Sequence, residues 1–360
     1  MSGSVTRVEQ PVIFRGRTQP SSGDLAPADR PIWAGTTGPV GSCPPRTPRS
    51  VRRTSSLDIL WPEGASGRLM LRGIGRDLVT GASAGEASVV GEARLEVSVQ
   101  LPSRAITTAA LDSDPYGVAE WLTEHGGHFR TRTALDRERG EFVAGGSVAA
   151  LLVDEIPAAT LISGSSLVRS GLVRRDPGES GVARGVCAGW IEGGSMHLAL
   201  SSRPFFGEGP PAPVLTRGDD LLAWHEEPPM NLYAMRRRRR IDVRPEATGD
   251  ALIDVDVFFR DSMVEDAQGD HVETVIHEYG IDARVDRATR SIVSIAAIAH
   301  VLPGPECPSA VTSAQRLVGM KIDDVRAHVR DEFRGTTTCT HLNDALRSIG
   351  DLGALLALLP

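Results

Sequence analysis

Apolar and polar residues alternate in several short stretches of the chain, and this alternation predicts half-buried β-strands. The clearest stretches are residues 95–99 and 253–259, in which every second side chain is apolar. Glycine and proline separate the stretches, as they commonly do between strands. The same criteria predict shorter strands at residues 57–59, 69–71, 182–190, 196–200, 241–243, 281–285 and 292–298.

Helical spacing appears between the two groups of strands and again at the end of the chain. Apolar residues at positions 148, 151, 152 and 156 share one face of a helix predicted over residues 147–161. Positions 322, 325, 329 and 333 form a second such face. Further helices are predicted around residues 118–122, 309–318 and 341–355. The chain therefore mixes helices with strands.

The two groups of strands correspond to each other, which indicates an internal duplication. Arg76 with Asp77 matches Arg260 with Asp261 at an offset of 184 residues. The offset is 186 for the next predicted strand and 194 for the helix that ends each group. We predict an α+β fold of two tandem copies, each an antiparallel sheet with helices on one face, packed as an internal pseudo-dimer.

Composition suggests the domain boundaries. Residues 1–50 are rich in Pro, Gly, Ser and Thr and show no periodicity, which predicts a flexible arm with Cys43 exposed. The first α+β copy is predicted at residues 51–164 and the second at 235–360. Residues 165–234 are less regular and are predicted to connect the copies through short strands.

The overall composition, 41% hydrophobic and 24% charged, is that of a soluble globular protein. No apolar run reaches the ~18–20 residues that span a membrane, and the N-terminus lacks the pattern of a secretory signal. We therefore expect a cytoplasmic protein that does not bind membranes. A net charge of −7 argues against a nucleic-acid partner.

Five consecutive arginines at positions 236–240 admit a second interpretation, since such clusters also bind nucleic acid or direct targeting. The acidic chain around them favours a strand whose alternate arginines face water.

Two cysteines and two histidines near the C-terminus form the best candidate site. Cys307 precedes a predicted helix, Cys339 and His341 lie at the start of the last helix, and His277 lies on an earlier strand. Thiolate and imidazole are ligands of zinc, iron and iron–sulfur clusters. We predict that these four residues hold Zn or Fe. The first copy has other residues at the corresponding positions: Gly91, Trp121, Gly145 and Ser147.

The position of Cys339 adds a second prediction. Thr338 or Thr340 is a suitable N-cap for the last helix, and the helix dipole favours a thiolate there. A lowered pKa of the Cys339 thiol follows, which suits either metal ligation or nucleophilic chemistry.

The alternative is that the four side chains have independent structural roles, because cysteine is often buried as a small apolar residue and histidine often caps a helix. Cys187, His197 and His225 match no metal-binding spacing, so structural roles are expected for them. Trp224 and His225 are also candidates for the wall of a pocket.

Residues 50–360 resemble a bacterial family of unknown function. The residues that carry the resemblance are R-R-R-R-I-D-V at positions 237–243, I-H-E-Y at 276–279 and the closing C-T-H-L at 339–342. The resemblance implies the fold unit and no activity.

Residues 270–350 also resemble, more distantly, the NifU N-terminal type of iron–sulfur scaffold. C-P-S-A-V-T-S at positions 307–313, L-V-G at 317–319 and the C-x-H-L at 339–342 follow the order of that family's motifs. The first cysteine of the family falls near Val275 here, and the closing pair is C-x-H instead of H-C. The resemblance implies a metal- or cluster-binding site.

These observations lead to three hypotheses. The first is a metal-dependent enzyme that acts on a small molecule, with Zn or Fe as a Lewis acid or as an activator of water. The second is a non-catalytic protein that binds zinc or an iron–sulfur cluster. The third is a metal-free thiol enzyme with a cysteine nucleophile and a histidine base.

Overall fold

The computed structural model describes residues 35–126, 131–173, 185–199, 209–247, 249 and 251–360, with the side chains of His197 and Ala199 left out. Most of the predicted N-terminal arm, the first part of the strand predicted at residues 182–190 and residue 200 lie outside the described residues. All of the described residues belong to one compact unit.

Eight strands form one antiparallel sheet, so the mixed α+β class is confirmed. The strand order is β4-β3-β2-β1-β5-β6-β7-β8, with four strands on each side of the β1–β5 contact. The first four strands are β1 Ser50–Leu60, β2 Leu69–Thr80, β3 Ala87–Gln100 and β4 Ala105–Leu111. The other four are β5 Met235–Pro245, β6 Leu252–Ala267, β7 Asp270–Asp286 and β8 Ile292–Val301.

Strands β1 and β5 lie at the centre of the sheet and are buried on both faces along almost their whole length. Their register places Ser55 opposite Arg239, with Thr54 opposite Arg240 and Ser56 opposite Arg238. These three arginines therefore each face a small, uncharged residue across the strand pair.

Helices pack on one face of the sheet. The α-helices are α1 Val118–His125, α2 Thr131–Glu138, α3 Gly140–Ala144, α4 Val148–Ile162, α5 Gly164–Arg169, α6 Ser195–Ala199, α7 Ile322–Glu332, α8 Thr340–Arg347 and α9 Leu352–Ala357. Short 3-10 helices occupy Ala188–Trp190, Cys307–Leu317, Gly335–Thr337 and Ser348–Asp351. The helix predicted over residues 341–355 is therefore interrupted, and residues 188–190 and 195–199 are helical instead of extended.

Two glycines of β2 allow α4 to approach the sheet closely. A Cβ at Gly73 would lie 3.0 Å from a methyl group of Leu152, and one at Gly75 would lie 2.7 Å from Val148. The apolar face of α4 then packs on β1, β2 and β3 together with Leu57 and Leu71. In the second half, α8 packs on β6 and β7, and α7 packs against α8 in the same apolar cluster.

Helices α4 and α5 run on from each other as Val148–Arg169, which is long and apolar enough to cross a membrane. However, 61% of the apolar window of this segment is buried inside the fold. This is typical of the core helix of a soluble protein.

The arginines of β5 do not face water, so the prediction of alternate exposed arginines is wrong. All five arginines are at most 7% exposed, because helices cover one face of β5 and loops cover the other. On the loop side, Arg236 binds Asp58 at 2.5 and 2.8 Å. On the helix side, Arg237 binds Asp261 through two bonds of 3.0 Å.

Strand β1 carries equivalent pairs on the same two faces. Arg52 binds Asp242 at 2.6 and 2.8 Å on the loop side. Arg53 binds Asp77 through two bonds of 2.7 Å on the helix side, and Asp351 lies 3.3 Å from it. Each of these four guanidinium groups thus has a carboxylate partner, which offsets the cost of burying its charge.

The described part of the predicted arm is attached to the sheet. The backbone N–H groups of Thr37 and Gly38 donate to carbonyls of β8, and that of Val40 donates to the Glu278 carboxylate at 2.6 Å. Cys43 was predicted to be exposed, but it is fully buried in a small apolar cluster that includes Trp224 and Phe258. Residues 37–50 are therefore not a free arm.

We predict that Arg53→Met lowers the free energy of unfolding by about 3–5 kcal/mol, because it leaves Asp77 buried without its arginine and removes one of the two arginines beside the buried Asp351. Arg68→Met is the matched control, since Arg68 and its partner Glu63 are both more than half exposed. This control should cost less than about 1 kcal/mol. Urea denaturation of the three proteins measures the difference, and equal midpoints would contradict the prediction.

Candidate functional site

Asp261, His277 and His341 meet on the helix side of the sheet. Asp261 on β6 pairs directly with His277 on β7, and a β-bulge follows at the next residue of β6. Helix α8 brings His341 onto this pair, with its Nε2 atom 3.5 Å from Asp261 Oδ2. The rings of His277 and His341 stack with their centroids 3.5 Å apart. One ligand atom from each residue lies within 4.8 Å of the others.

Arg237 fixes the carboxylate of this cluster. Its Nε and Nη2 atoms each donate to one oxygen of Asp261, and its Nη1 atom donates to Asp344 Oδ2 at 2.9 Å. A carboxylate oxygen accepts more than one bond, so each oxygen of Asp261 keeps acceptor capacity towards the imidazoles. The guanidinium thus orients the Asp261 carboxylate and leaves its oxygens able to bind a further partner.

Both imidazoles are neutral near pH 7. Burial, followed by the positive charge of Arg237, lowers the pKa of His341 to about 3. Burial also holds the pKa of His277 well below its ordinary value, and the neighbouring His341 acts in the same direction. A neutral imidazole has a free lone pair on one ring nitrogen, which is the form that binds a metal ion.

The second nitrogen of His341 has its own neighbours. Cys339 Sγ lies 3.9 Å from His341 Nδ1, and Thr340 Oγ1 lies 3.5 Å from the same atom. With the proton on Nδ1, the Nε2 lone pair is directed to the side of Asp261. A partner of this kind on the far nitrogen commonly orients a metal-binding histidine.

Two further buried cysteines, Cys187 and Cys307, lie on the other side of Cys339. A Cβ at Gly189 would be 2.7 Å from Cys307 Sγ and 4.0 Å from Cys187 Sγ, so these two thiols border the same small backbone turn. Cys339 and the fully buried hydroxyl of Tyr279 are adjacent to them.

The pKa prediction for Cys339 is wrong. Burial raises the pKa of this thiol to about 11, and it raises the pKa values of Cys187 and Cys307 as well. Loss of solvation outweighs the helix dipole here, because Cys339 is only 3% exposed. The three residues are therefore neutral thiols at pH 7.

The four predicted ligands do not form one group. Cys339 lies between the two histidines on one side and Cys307 on the other. His277 and His341 are together, whereas Cys307 lies with Cys187. Among the described residues, the group of three potential ligands within 4.8 Å contains Asp261 and neither cysteine. Asp261 was not among the predicted ligands, because those four residues were predicted from the ligand preferences of thiolate and imidazole. The signal available in the sequence was the recurrence of an Arg-Asp pair at residues 76–77 and 260–261.

A cavity of about 270 Å³ reaches the cluster through His341 and Arg237. It lies between α2 and α4 of the first half and α7 and α8 of the second half. Its apolar wall includes Ile156, Val329 and Phe333. Both halves therefore form the space next to the cluster, although the three potential ligands come from the second half alone.

Trp224 and His225 line a separate cavity of about 460 Å³ on the loop side. His225 Nε2 lies 2.8 Å from Ser56 Oγ, and burial lowers the pKa of this imidazole to about 4. Ser56 is 3% exposed and does not line the cavity, so this contact holds the loop on β1.

The protonation state of His341 makes stability depend on pH in metal-free protein. Its pKa is about 3 in the folded chain and 6.5 in the unfolded chain, so protons favour unfolding between these values. Its contribution is complete above pH 6.5 and is lost as the pH falls towards 3. Between pH 7 and 5, the wild type should lose about 2 kcal/mol more unfolding free energy than His341→Asn.

Urea denaturation in the presence of a chelator measures this difference. Equal losses in the two proteins would show that the imidazole is not held neutral.

Comparison with known proteins gives one match. A family described as "Protein of unknown function (DUF2889)" matches residues 235–354, one third of the chain. No curated protein and no solved structure matches the chain. The cluster of Asp261, His277 and His341 lies wholly inside the part of the chain that matches this family of unknown function.

Proposed function

We propose that the protein is a metal-dependent enzyme that acts on a small molecule, with a Zn or Fe ion held by Asp261, His277 and His341. The observation that carries this proposal is the convergence of two neutral imidazoles and a carboxylate beside a cavity. The two predicted histidine ligands are retained. Asp261 replaces the two cysteines in the ligand set.

The ligand set supports catalysis more than a structural role. Two histidines and one carboxylate are the protein ligands of several catalytic zinc sites and of the non-haem iron triad, which leave coordination positions open. A bound ion would polarise a substrate oxygen or lower the pKa of water. Arg237 neutralises part of the charge of Asp261, so the imidazoles supply most of the affinity.

We also propose that the two halves are copies of one unit, packed as an internal pseudo-dimer. A β-bulge follows Asp77 in β2 and Asp261 in β6, and the two aspartates face Gly91 and His277 across their strand pairs. Ser55 and Arg239, which face each other at the centre, are also separated by the offset of 184 residues. These correspondences support a duplication in which only the second copy gained the histidines.

The second candidate is a non-catalytic protein that binds zinc or an iron–sulfur cluster, as the resemblance to scaffold proteins suggests. The closeness of Cys187, Cys307 and Cys339 favours it, since all three are free, buried thiols. Visible absorption after anaerobic purification would indicate a cluster, and loss of stability on chelation would indicate structural zinc. No observation favours the metal-free thiol enzyme, because burial opposes both the thiolate and the imidazolium that it needs.

The expected environment belongs to the same proposal. A cytoplasmic protein without nucleic-acid or membrane partners is supported by the four free cysteines and by the net charge of −7. The cavity supports a small-molecule substrate.

We predict that the wild type, after dialysis against Zn²⁺ and then against buffer, retains about one metal ion per chain. His277→Ala and His341→Ala should each retain less than ~0.2 ions, because two remaining ligands hold an ion weakly. His271→Ala is the control, since His271 is an exposed histidine on the same strand as His277. Elemental analysis measures the metal. A wild type without metal would exclude the proposed function.

A second pair of variants separates the roles of the cysteines. Cys339→Ala should weaken Zn²⁺ affinity by about 10- to 100-fold, since it removes a neighbour that orients His341. Cys307→Ala should leave the affinity unchanged, because Cys307 lies with Cys187 and away from the imidazoles. Competition with a chromophoric chelator measures both. If Cys307→Ala lost as much affinity as His277→Ala, the originally predicted four-residue ligand set would be favoured.

A further inference from the structure

The geometry points to a small organic carboxylate with an apolar body as the ligand of the cavity between the two halves. This inference deepens the proposed function and rests on it for the identification of the ligand as a substrate. The charge of the cavity wall, its apolar surface and its size support the inference separately.

The wall of the cavity is cationic. Among the described residues, the cavity is lined by the guanidinium groups of Arg104, Arg132, Arg237, Arg330 and Arg347, and by one carboxylate, that of Asp344. The other carboxylates that pair with these arginines do not line the cavity. Asp154 binds Arg347 at 2.6 Å, and Asp261 lies beyond Arg237. Arg237 and Arg347 are almost completely buried, so the positive charge of the wall comes mainly from the arginines that keep some exposed surface.

Two of these arginines keep part of their surface open. The Arg132 side chain on α2 is 20% exposed while it contacts Asp344 at 2.8 Å. The Arg330 side chain on α7 is 21% exposed and pairs with two carboxylates, those of Asp136 on α2 and of the neighbouring Asp331. A guanidinium has five N–H donors, so arginines that already hold carboxylates can still bind a further one.

The rest of the wall selects an apolar body. Ile156 on α4, Val329 on α7 and Phe333 directly after α7 form the apolar part of the wall. All three side chains are nearly completely buried. A volume of about 270 Å³ is below the usual range of ligand cavities, so the ligand is small. Inorganic phosphate would satisfy the arginines but leave the apolar wall without contact. A neutral molecule of the same shape would leave the cationic wall without an anion.

The position of His341 gives the ligand a direction. This residue lines the cavity and belongs to the cluster of Asp261 and His277. A carboxylate held by the arginines thus places the remainder of the molecule within reach of the proposed ion.

Three probes with one body and different head groups test the class of ligand. Phenylacetate, phenylacetamide and phenylphosphonate are titrated calorimetrically into the full chain, once after treatment with a chelator and once after loading with Co²⁺. Phenylacetate should bind at least about tenfold more tightly than phenylacetamide in both preparations, since charge-assisted bonds are lost with the amide. Equal binding of the two, or no binding of phenylacetate at millimolar concentration, overturns the inference. Tighter binding of phenylphosphonate would identify an organic phosphate site and overturns it as well.

Variants locate the binding. Arg330→Gln should weaken phenylacetate binding about tenfold, whereas Arg137→Gln should not, because Arg137 lies on α2 with its side chain 74% exposed and outside the cavity. Ala158→Phe, which places a ring in the cavity from α4, should abolish binding. Circular dichroism and melting temperature establish that each variant is folded. Undiminished binding by folded Ala158→Phe would place the ligand elsewhere and overturn the inference.

The two preparations separate this inference from the proposed function. Selective binding of phenylacetate by a protein that holds no Co²⁺ would support the ligand class and exclude the metal enzyme. Bound Co²⁺ without a preference for phenylacetate over phenylacetamide would support the metal site and exclude the ligand class. A change of the Co²⁺ visible spectrum on addition of phenylacetate would support both.

Discussion

Buried ion pairs on both faces of β1 and β5 are the constraint on which the rest of the structure depends. A guanidinium in the middle of a sheet that is covered on both sides needs a carboxylate at a fixed distance. Arg237 obtains two, from Asp261 and Asp344. The carboxylate that we assign to the metal site is therefore positioned by the charge balance of the central strands, and α8 is held in place by the same arginine.

One position distinguishes the surroundings of Asp77 from those of Asp261. Asp77 and Asp261 have the same arginine contact and the same place beside a bulge. Gly91 leaves Asp77 with no imidazole beside it, whereas His277 places one next to Asp261. The first half contributes in another way, because α2 and α4 form one wall of the cavity. The second half supplies the three potential ligands, and both halves form the walls of the cavity.

Apolar and polar patterns in the sequence predicted strands and helices most directly where one face of the element is exposed to solvent. Alternation identified β3 and helical spacing identified α7, since each has one exposed face. The same patterns also identified β6 and α4, which are buried over most of their length. The sequence did not predict that the arginines of β5 are buried, because charged residues usually face water. Here the surrounding loops and helices cover them. Contacts between residues that are far apart in the sequence could not be predicted either. The burial that raises the pKa of Cys339, and the approach of α8 to Asp261, depend on how separate elements pack. His277 and His341 were identified as chemically suitable, but their carboxylate partner was found only from the fold.

The register of β1 and β5 has a further consequence for strand recognition. The matched region starts at residue 235 and so contains β5 without β1. Beside a second β5 in the same register, Arg238 would face Arg240 and Arg239 would face its own copy, and directly opposed like charges repel. Thr54, Ser55 and Ser56 remove this repulsion. The small polar residues of β1 thus make β5 selective for a partner strand within its own chain, and they protect an arginine-rich strand from pairing with other molecules.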